Sequence, residues 1–187
     1  MDTAALLSVL HTAEKLKDTT RHCYTSGGRR ESVAEHSWRL CLFAWFLRDE
    51  FPELDMDKVL HMCLLHDMGE AFTGDIPTFW KDETHENQES RLLQNWVDTL
   101  PQPYRQELTE LYAEMDALET GEARLYKALD KLEAVDQHNL SDLSTWIPLE
   151  YELNLTYGNE QAAYFPYLKR LRAAILEETV QKVKDKQ

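Results

Sequence analysis

Residues 59–69 read Val59-Leu-His-Met-Cys-Leu-Leu-His-Asp-Met-Gly69, and the character of this stretch decides the fold. It is apolar nearly all round until its last turn, the mark of a helix buried on every side. Such a helix needs others around it, and the flanking sequence supplies them. Upstream, Ser32-Val33-Ala34-Glu35 is a capping box, a Ser that opens a helix and a Glu three positions later that reaches back to it. The helix it starts runs to about Glu50 and carries His36, Leu40, Phe43, Ala44 and Leu47 on one face. Asp57 is the expected cap of the central helix, which is expected to end near Gly69. Helical periodicity also covers residues 3–17, 83–99, 104–118, 121–139 and 160–184, with Pro101, Pro103 and Gly121 as separators. Residues 18–31 read as a loop, and no stretch alternates convincingly as a strand does. The expectation is an all-α helical bundle forming one domain over residues 1–187.

Length and charge narrow the function. A chain of 187 residues can bury a real hydrophobic core. Acidic residues outnumber basic ones 34 to 20, and the formal charge of −14 repels nucleic-acid polymers and anionic lipid. The longest apolar run, Leu40 to Leu47, falls far short of the roughly 20 residues a membrane span needs. The N-terminus shows no basic-then-apolar signal pattern. Cys23, Cys41 and Cys63 are odd in number and widely spaced, and the last two sit in apolar stretches as small hydrophobes. These features suit a reducing cytoplasm and argue against a disulfide scaffold or a zinc ribbon.

The buried helix nevertheless ends in two adjacent ionisable residues, His66 and Asp67, with Glu70 one turn on. Burying a carboxylate costs several kcal/mol unless a cation or strong hydrogen bonds compensate it. A divalent metal does so, with neutral imidazole and carboxylate as its natural ligands. Taken singly, each candidate has a plainer reading. His66-Asp67 could be a solvated helix end, and His36 a core histidine satisfied by one hydrogen bond. Asp130, which interrupts Leu125-Tyr-Lys-Ala-Leu-Asp-Lys-Leu-Glu-Ala-Val135, could be a partly exposed surface acid.

In chain order, His36, His66-Asp67 and Asp130 spell H…HD…D. With the blocks Glu31-Ser32-Val33-Ala34-Glu35-His36-Ser37 and His66-Asp67-Met68-Gly69-Glu70-Ala71-Phe72-Thr73-Gly74-Asp75-Ile76-Pro77-Thr78, the chain resembles the HD-domain metal-dependent phosphohydrolases. Within them it is most similar to the bacterial 5′-deoxynucleotidase branch. The resemblance spans about residues 6–140, and residues 141–187 are expected to pack on that HD-domain bundle as C-terminal helices.

The resemblance implies one divalent metal held by His36, His66, Asp67 and Asp130. Two imidazoles and two carboxylates suit Co²⁺, Mn²⁺, Fe²⁺ or Zn²⁺ better than Mg²⁺. It makes Glu70 the acid/base that orients and deprotonates the attacking water, and Arg21 the grip on the phosphate. Asp75, Ile76, Pro77 and Thr78 would form the wall that meets sugar and phosphate, with His36, Asp67 and Asp130 also facing the substrate. The local charge agrees: from Glu14 to Arg30, Lys15, Lys17, Arg21, Arg29 and Arg30 outnumber Glu14 and Asp18. The family pattern places a tryptophan after the arginine, against the sugar 2′ position. Here His22 stands there, with Tyr24 the nearest aromatic, so discrimination between deoxyribose and ribose is expected to be weaker.

The implied activity is removal of the 5′-phosphate from (deoxy)nucleoside monophosphates. The implied partners are a small-molecule nucleotide and a second copy of the chain in a homodimer, with no nucleic-acid polymer and no membrane. Two alternatives stay open: an HD-type nucleoside triphosphate or phosphodiester hydrolase, and an inactive nucleotide-binding HD module. Two-metal and oxygenase plans add two histidines between the HD pair and the final Asp, where this chain has only His85. His61 is expected in the core or an interface, the five tryptophans in packing, and Lys81 and Lys131 stay open between phosphate contact and solvent.

Overall fold

In the computed structural model, which describes residues 1–185, the expected capping box forms. The Ser32 hydroxyl accepts from Glu35 N at 3.2 Å, and Ser32 N donates to the Glu35 carboxylate at 2.9 Å. It opens α2 (Val33–Leu47). This helix packs against α3 (Met56–Leu65) and α7 (Gly121–Leu140). Leu40 and Ala44 of α2, Val59 and Met62 of α3, and Leu125 and Leu129 of α7 are fully buried where the three helices meet. The remaining helices close around this centre. They are α1 (Thr3–Glu14), a one-turn α4 (Glu70–Thr73), α5 (Glu83–Asp98), α6 (Tyr104–Ala117), α8 (Pro148–Thr156), α9 (Asn159–Ala162) and α10 (Pro166–Lys184). α10 packs against α8 and α9, and α9 and α10 lie on α7. Lys186 and Gln187, the end of the expected domain, lie outside the described residues.

Several expectations need correcting. Residues 18–31 are not all loop, because β1 (Thr20–Tyr24) pairs antiparallel with β2 (Arg30–Ser32). The intervening turn uses Gly28 at φ +82°, a left-handed conformation that glycine adopts without strain. A five-residue strand of mostly polar residues carries no apolar alternation, so its signal was the turn alone. α3 is capped by the Asp55 carboxylate, which accepts from Lys58 N, and not by Asp57. It ends at Leu65, and residues 66–69 form a turn rather than its last turn of helix. The helix expected over 160–184 is broken in two, because Pro166 lacks an N–H and starts α10 afresh. His61 is exposed, and so are Trp38, Trp45 and Trp80; Trp146 is the buried tryptophan.

The ribbon fixes the site. Gln137 of α7 donates its amide to the Tyr24 carbonyl at 2.8 Å, which holds β1, and with it Arg21 and His22, against the central helix. Leu129, next to Asp130 on α7, is fully buried in the main core. Leu129→Ala is expected to lower stability by about 2–5 kcal/mol. Urea unfolding followed by circular dichroism checks it, with an unchanged midpoint contradicting the core placement.

Candidate active site

Four side chains from three parts of the bundle converge. His36 comes from the first turns of α2, His66 and Asp67 from the turn after α3, and Asp130 from the middle of α7. His36 Nε2 and His66 Nε2 stand 3.2 Å apart. Asp67 Oδ2 lies 3.0 Å from His66 Nε2 and 3.8 Å from His36 Nε2. Asp130 Oδ1 lies 3.3 Å from His36 Nε2 and 3.7 Å from His66 Nε2. Donor atoms of His36, His66 and Asp67 all lie within 4.8 Å of one another, and Asp130 Oδ1 approaches the two imidazole nitrogens from α7.

Each donor is also held from behind. His36 Nδ1 donates to Glu133 Oε2 at 2.6 Å, and His66 Nδ1 to the Cys63 carbonyl at 3.0 Å. With both Nδ1 atoms donating, neutral imidazoles turn their Nε2 lone pairs toward the shared point, the arrangement metal-binding histidines use. Lys127 donates to Asp130 Oδ2 at 2.9 Å, leaving Oδ1 for the cluster. Burial and Arg21 push the His36 imidazole toward neutrality, but Glu133 and Asp130 push it further the other way, to about 9. Burial works against the charges on Asp67 and Asp130 as well. His66 and His36 overcome it for Asp67, and Lys127 and His36 for Asp130, so both carboxylates sit below their usual range. The surroundings thus call for positive charge where the donors meet. The donor set, its geometry and its electrostatics fit a divalent cation. A second buried group, Glu31, His36 and Glu133, is instead neutralised by Arg21, whose guanidinium lies 3.8 Å from Glu31 and 4.0 Å from Glu133.

Glu70 opens α4, one turn past Asp67. Its side chain is buried and Oε2 has no hydrogen-bond partner. Burial and then the charges of Asp67 and Asp75 raise its pKa well above the usual carboxylate range, against the pull of Arg21. The Arg21 side chain is 14% exposed, and its Nη1 makes no hydrogen bond within the protein. Arg21, His22, Asp75, Pro77 and Thr78 line one cleft. Ile76 faces an adjoining groove with Thr20 and Trp80. The Thr78 hydroxyl is 3.4 Å from the Tyr157 hydroxyl.

His22 is packed edge-on against Phe79 and Trp80 and lies 3.1 Å from Glu150. Tyr24 lies instead beneath the Arg30 guanidinium. Lys81 pairs with Glu89 at 2.7 Å, and Lys131 lies over the Tyr157 ring. Arg29 pairs with Glu35, and His85 caps α5 beside Asp82. Sequence reasoning missed Lys127, Glu133 and Glu150. The first two stand three residues either side of Asp130, the spacing that aligns side chains on one helix face. Glu150 carried no comparable signal.

Residues 13–169 match the HD domain family. The chain belongs to that family. This HD-domain chain is 33% identical over 138 residues to the 5′-deoxynucleotidase HDDC2 of Homo sapiens, covering 71% of this chain and 66% of that protein. It thus spans about two thirds of that relative's length. The 5′-deoxynucleotidase hdd1 of Schizosaccharomyces pombe is 28% identical over 148 residues, covering 73% of this chain and 74% of its own. Among solved structures, a predicted metal-dependent phosphohydrolase from Magnetospirillum magnetotacticum superposes with a TM-score of 0.79 at 26% identity, covering 96% of this chain and 95% of that one.

Glu133 supports His36 without facing the shared point, so its loss is expected to loosen rather than remove cation binding. Glu133→Gln should weaken Mn²⁺ affinity by about 10–100-fold, read by titration calorimetry. Wild-type affinity in that variant would show that the hydrogen bond at His36 Nδ1 does not orient the imidazole.

Proposed function

We propose that the chain is a metal-dependent phosphohydrolase that removes the 5′-phosphate from (deoxy)nucleoside monophosphates. The observation that carries this reading is the placement of a largely buried arginine, whose Nη1 has Glu133 at 4.0 Å but completes no hydrogen bond, where its charge acts on both Asp67 of the cluster and the buried carboxyl Glu70. One divalent cation held by the four donors, with Co²⁺, Mn²⁺, Fe²⁺ or Zn²⁺ favoured over Mg²⁺, supplies Lewis acidity to the phosphoryl oxygens when bound.

The chain's own groups do the rest. Arg21 binds the phosphate oxygens through Nη1 and offsets the charge that grows on them. Burial, with Asp67 and Asp75, raises the proton affinity of Glu70, which suits its carboxyl to take a proton from the attacking water and pass it to the departing 5′-oxygen. Asp75, Pro77 and Thr78 line the side of the cleft where the sugar would lie. The names of the relatives support a nucleotide substrate. The net charge of −14 supports a small anion admitted at a local arginine over a nucleic-acid polymer.

Trp38, Leu42, Trp45 and Phe46 stand exposed on α2 at helical spacing, an apolar stripe that supports a homodimer. Three free cysteines support a reducing cytoplasm, and no helix among the described residues is long and apolar enough to cross a membrane.

The test is phosphate release from dAMP, AMP and dATP with Co²⁺, Mn²⁺ and Mg²⁺ supplied separately. Release from a monophosphate and not from dATP is expected, and pyrophosphate or triphosphate from dATP would favour the triphosphate hydrolases. In Glu70→Gln, kcat should fall by about 10²–10⁴-fold while the cation stays bound. Full turnover by a metal-loaded variant would take Glu70 out of the mechanism.

A further inference from the structure

Glu70 and the residues of the cleft wall lie on one short stretch, residues 69–81, with little regular structure of its own. Its helical part, α4, is a single turn, and residues 74–82 form neither helix nor strand. The backbone bonds inside the stretch are local. Phe72 N donates to the Gly69 carbonyl at 3.0 Å and Gly74 N to the Glu70 carbonyl at 2.9 Å. Trp80 N and Lys81 N donate to the Pro77 carbonyl at 2.8 and 3.1 Å. Such bonds shape the stretch but do not fix where it sits against the bundle.

Both ends of the stretch meet one side chain, Glu89, about two turns into α5. At the start, Glu89 lies against Gly69, the residue before Glu70. A Cβ there would stand 2.7 Å from Glu89 Cγ, so only a bare backbone admits the contact as it stands. At the end, Lys81 Nζ donates to Glu89 Oε2 at 2.7 Å. The two side chains are 21% and 17% exposed, which screens this ion pair less than one on an open surface. Burial works against the Lys81 charge, but Glu89, with Glu70 and Asp67 behind it, holds the proton in place.

Lys81 is therefore engaged toward α5 and serves as the tether of the wall's far end. A stretch tied at both ends to one residue is a closed loop, and what it carries moves only if the tie moves. Glu70 depends on this more than most side chains do, because its buried Oε2 has no hydrogen-bond partner to place it. Its carboxyl takes its position from the backbone next to Gly69. Displacement of a reacting group by about 1 Å can cost about 10²-fold in rate.

We propose that Glu89, held between Gly69 and Lys81, is a positioning residue for the reaction: it ties both ends of residues 69–81 to α5 and so sets where Glu70 and the Asp75–Thr78 wall stand relative to the cation donors. The roles of Glu70 and of the wall rest on the phosphohydrolase reading above, whereas the tie itself does not. Neither Glu89 nor Lys81 touches the substrate, and both act through the backbone between them.

Glu89→Gln keeps the size of the side chain and removes the charge that Lys81 pairs with, and Lys81→Met keeps most of the stem and removes the ammonium. The first measurement is turnover of dAMP by the Mn²⁺-loaded proteins. Each variant is expected to lose about 10–100-fold in kcat while metal stoichiometry and circular dichroism stay unchanged. Lys81→Arg, which keeps a cation against Glu89, should recover most of the loss. Natural kcat in Glu89→Gln overturns the proposal, and a loss confined to Lys81→Met would show the lysine charge acting without the tie. The second measurement is amide hydrogen exchange, which needs no turnover. Exchange at Phe72, Gly74, Trp80 and Lys81 should quicken several-fold in Glu89→Gln while α2, α3 and α7 keep theirs. Unchanged exchange there overturns the tie whatever the enzyme hydrolyses. Quickened exchange in a chain that hydrolyses no monophosphate supports the tie and sinks the phosphohydrolase reading alone.

Discussion

The 2.6 Å hydrogen bond from His36 Nδ1 to Glu133 Oε2 joins α2 to α7 in the middle of the bundle, and most of the site depends on it. His36 is fully buried, so its ring is fixed by packing as well as by this bond. The bond selects the imidazole form whose Nε2 faces His66 and Asp130. Glu133 cannot drift, because Arg39 donates to its other oxygen at 2.6 Å and also bonds Gln137 and Asp136. Gln137 in turn holds the strand that carries Arg21. One hydrogen-bonded chain therefore connects His36 of the cluster, the strand that carries Arg21 and the central helix packing.

Such a network is hard to keep in a core unless every member is paired. Arg21, Arg39 and Lys127 supply positive charge around Glu31, Glu133, Asp136 and Asp130. What they do not neutralise is the point where Asp67 Oδ2 and Asp130 Oδ1 meet two imidazole nitrogens. The chain as a whole is strongly acidic, but Arg21, Arg39 and Lys127 gather positive charge around this cluster. That contrast supports a small anionic ester as substrate over larger polyanions.

The fold, and the clustering of His36, His66, Asp67 and Asp130, were legible in the sequence for physical reasons. A buried all-round apolar helix demands a bundle, and the Ser32–Glu35 capping box marks the start of α2 to the residue. His36, His66, Asp67 and Asp130 stood out because each puts a costly polar group where periodicity demands an apolar one. The β1–β2 ribbon did not show, because its strands are short and polar and their pairing is carried by backbone. Asp55 could not be separated from Asp57 as a cap, since both offer the same carboxylate two residues apart. The break before Pro166 was hidden under continuous periodicity. Glu150 was invisible because it lies 20 residues from the nearest ligand in sequence and meets His22 only through tertiary packing. His22 was noticed as a departure from a pattern, but its partner could be found only in three dimensions.

The central claim is that His36, His66, Asp67 and Asp130 together hold one divalent ion. Metal analysis of the purified chain after equilibration with Mn²⁺ and gel filtration, beside Asp67→Ala treated identically, tests it most directly. The account predicts one ion per chain in the natural protein and a substoichiometric trace in the variant, with the same helical circular dichroism in both. Equal, stoichiometric metal in the two proteins would contradict it.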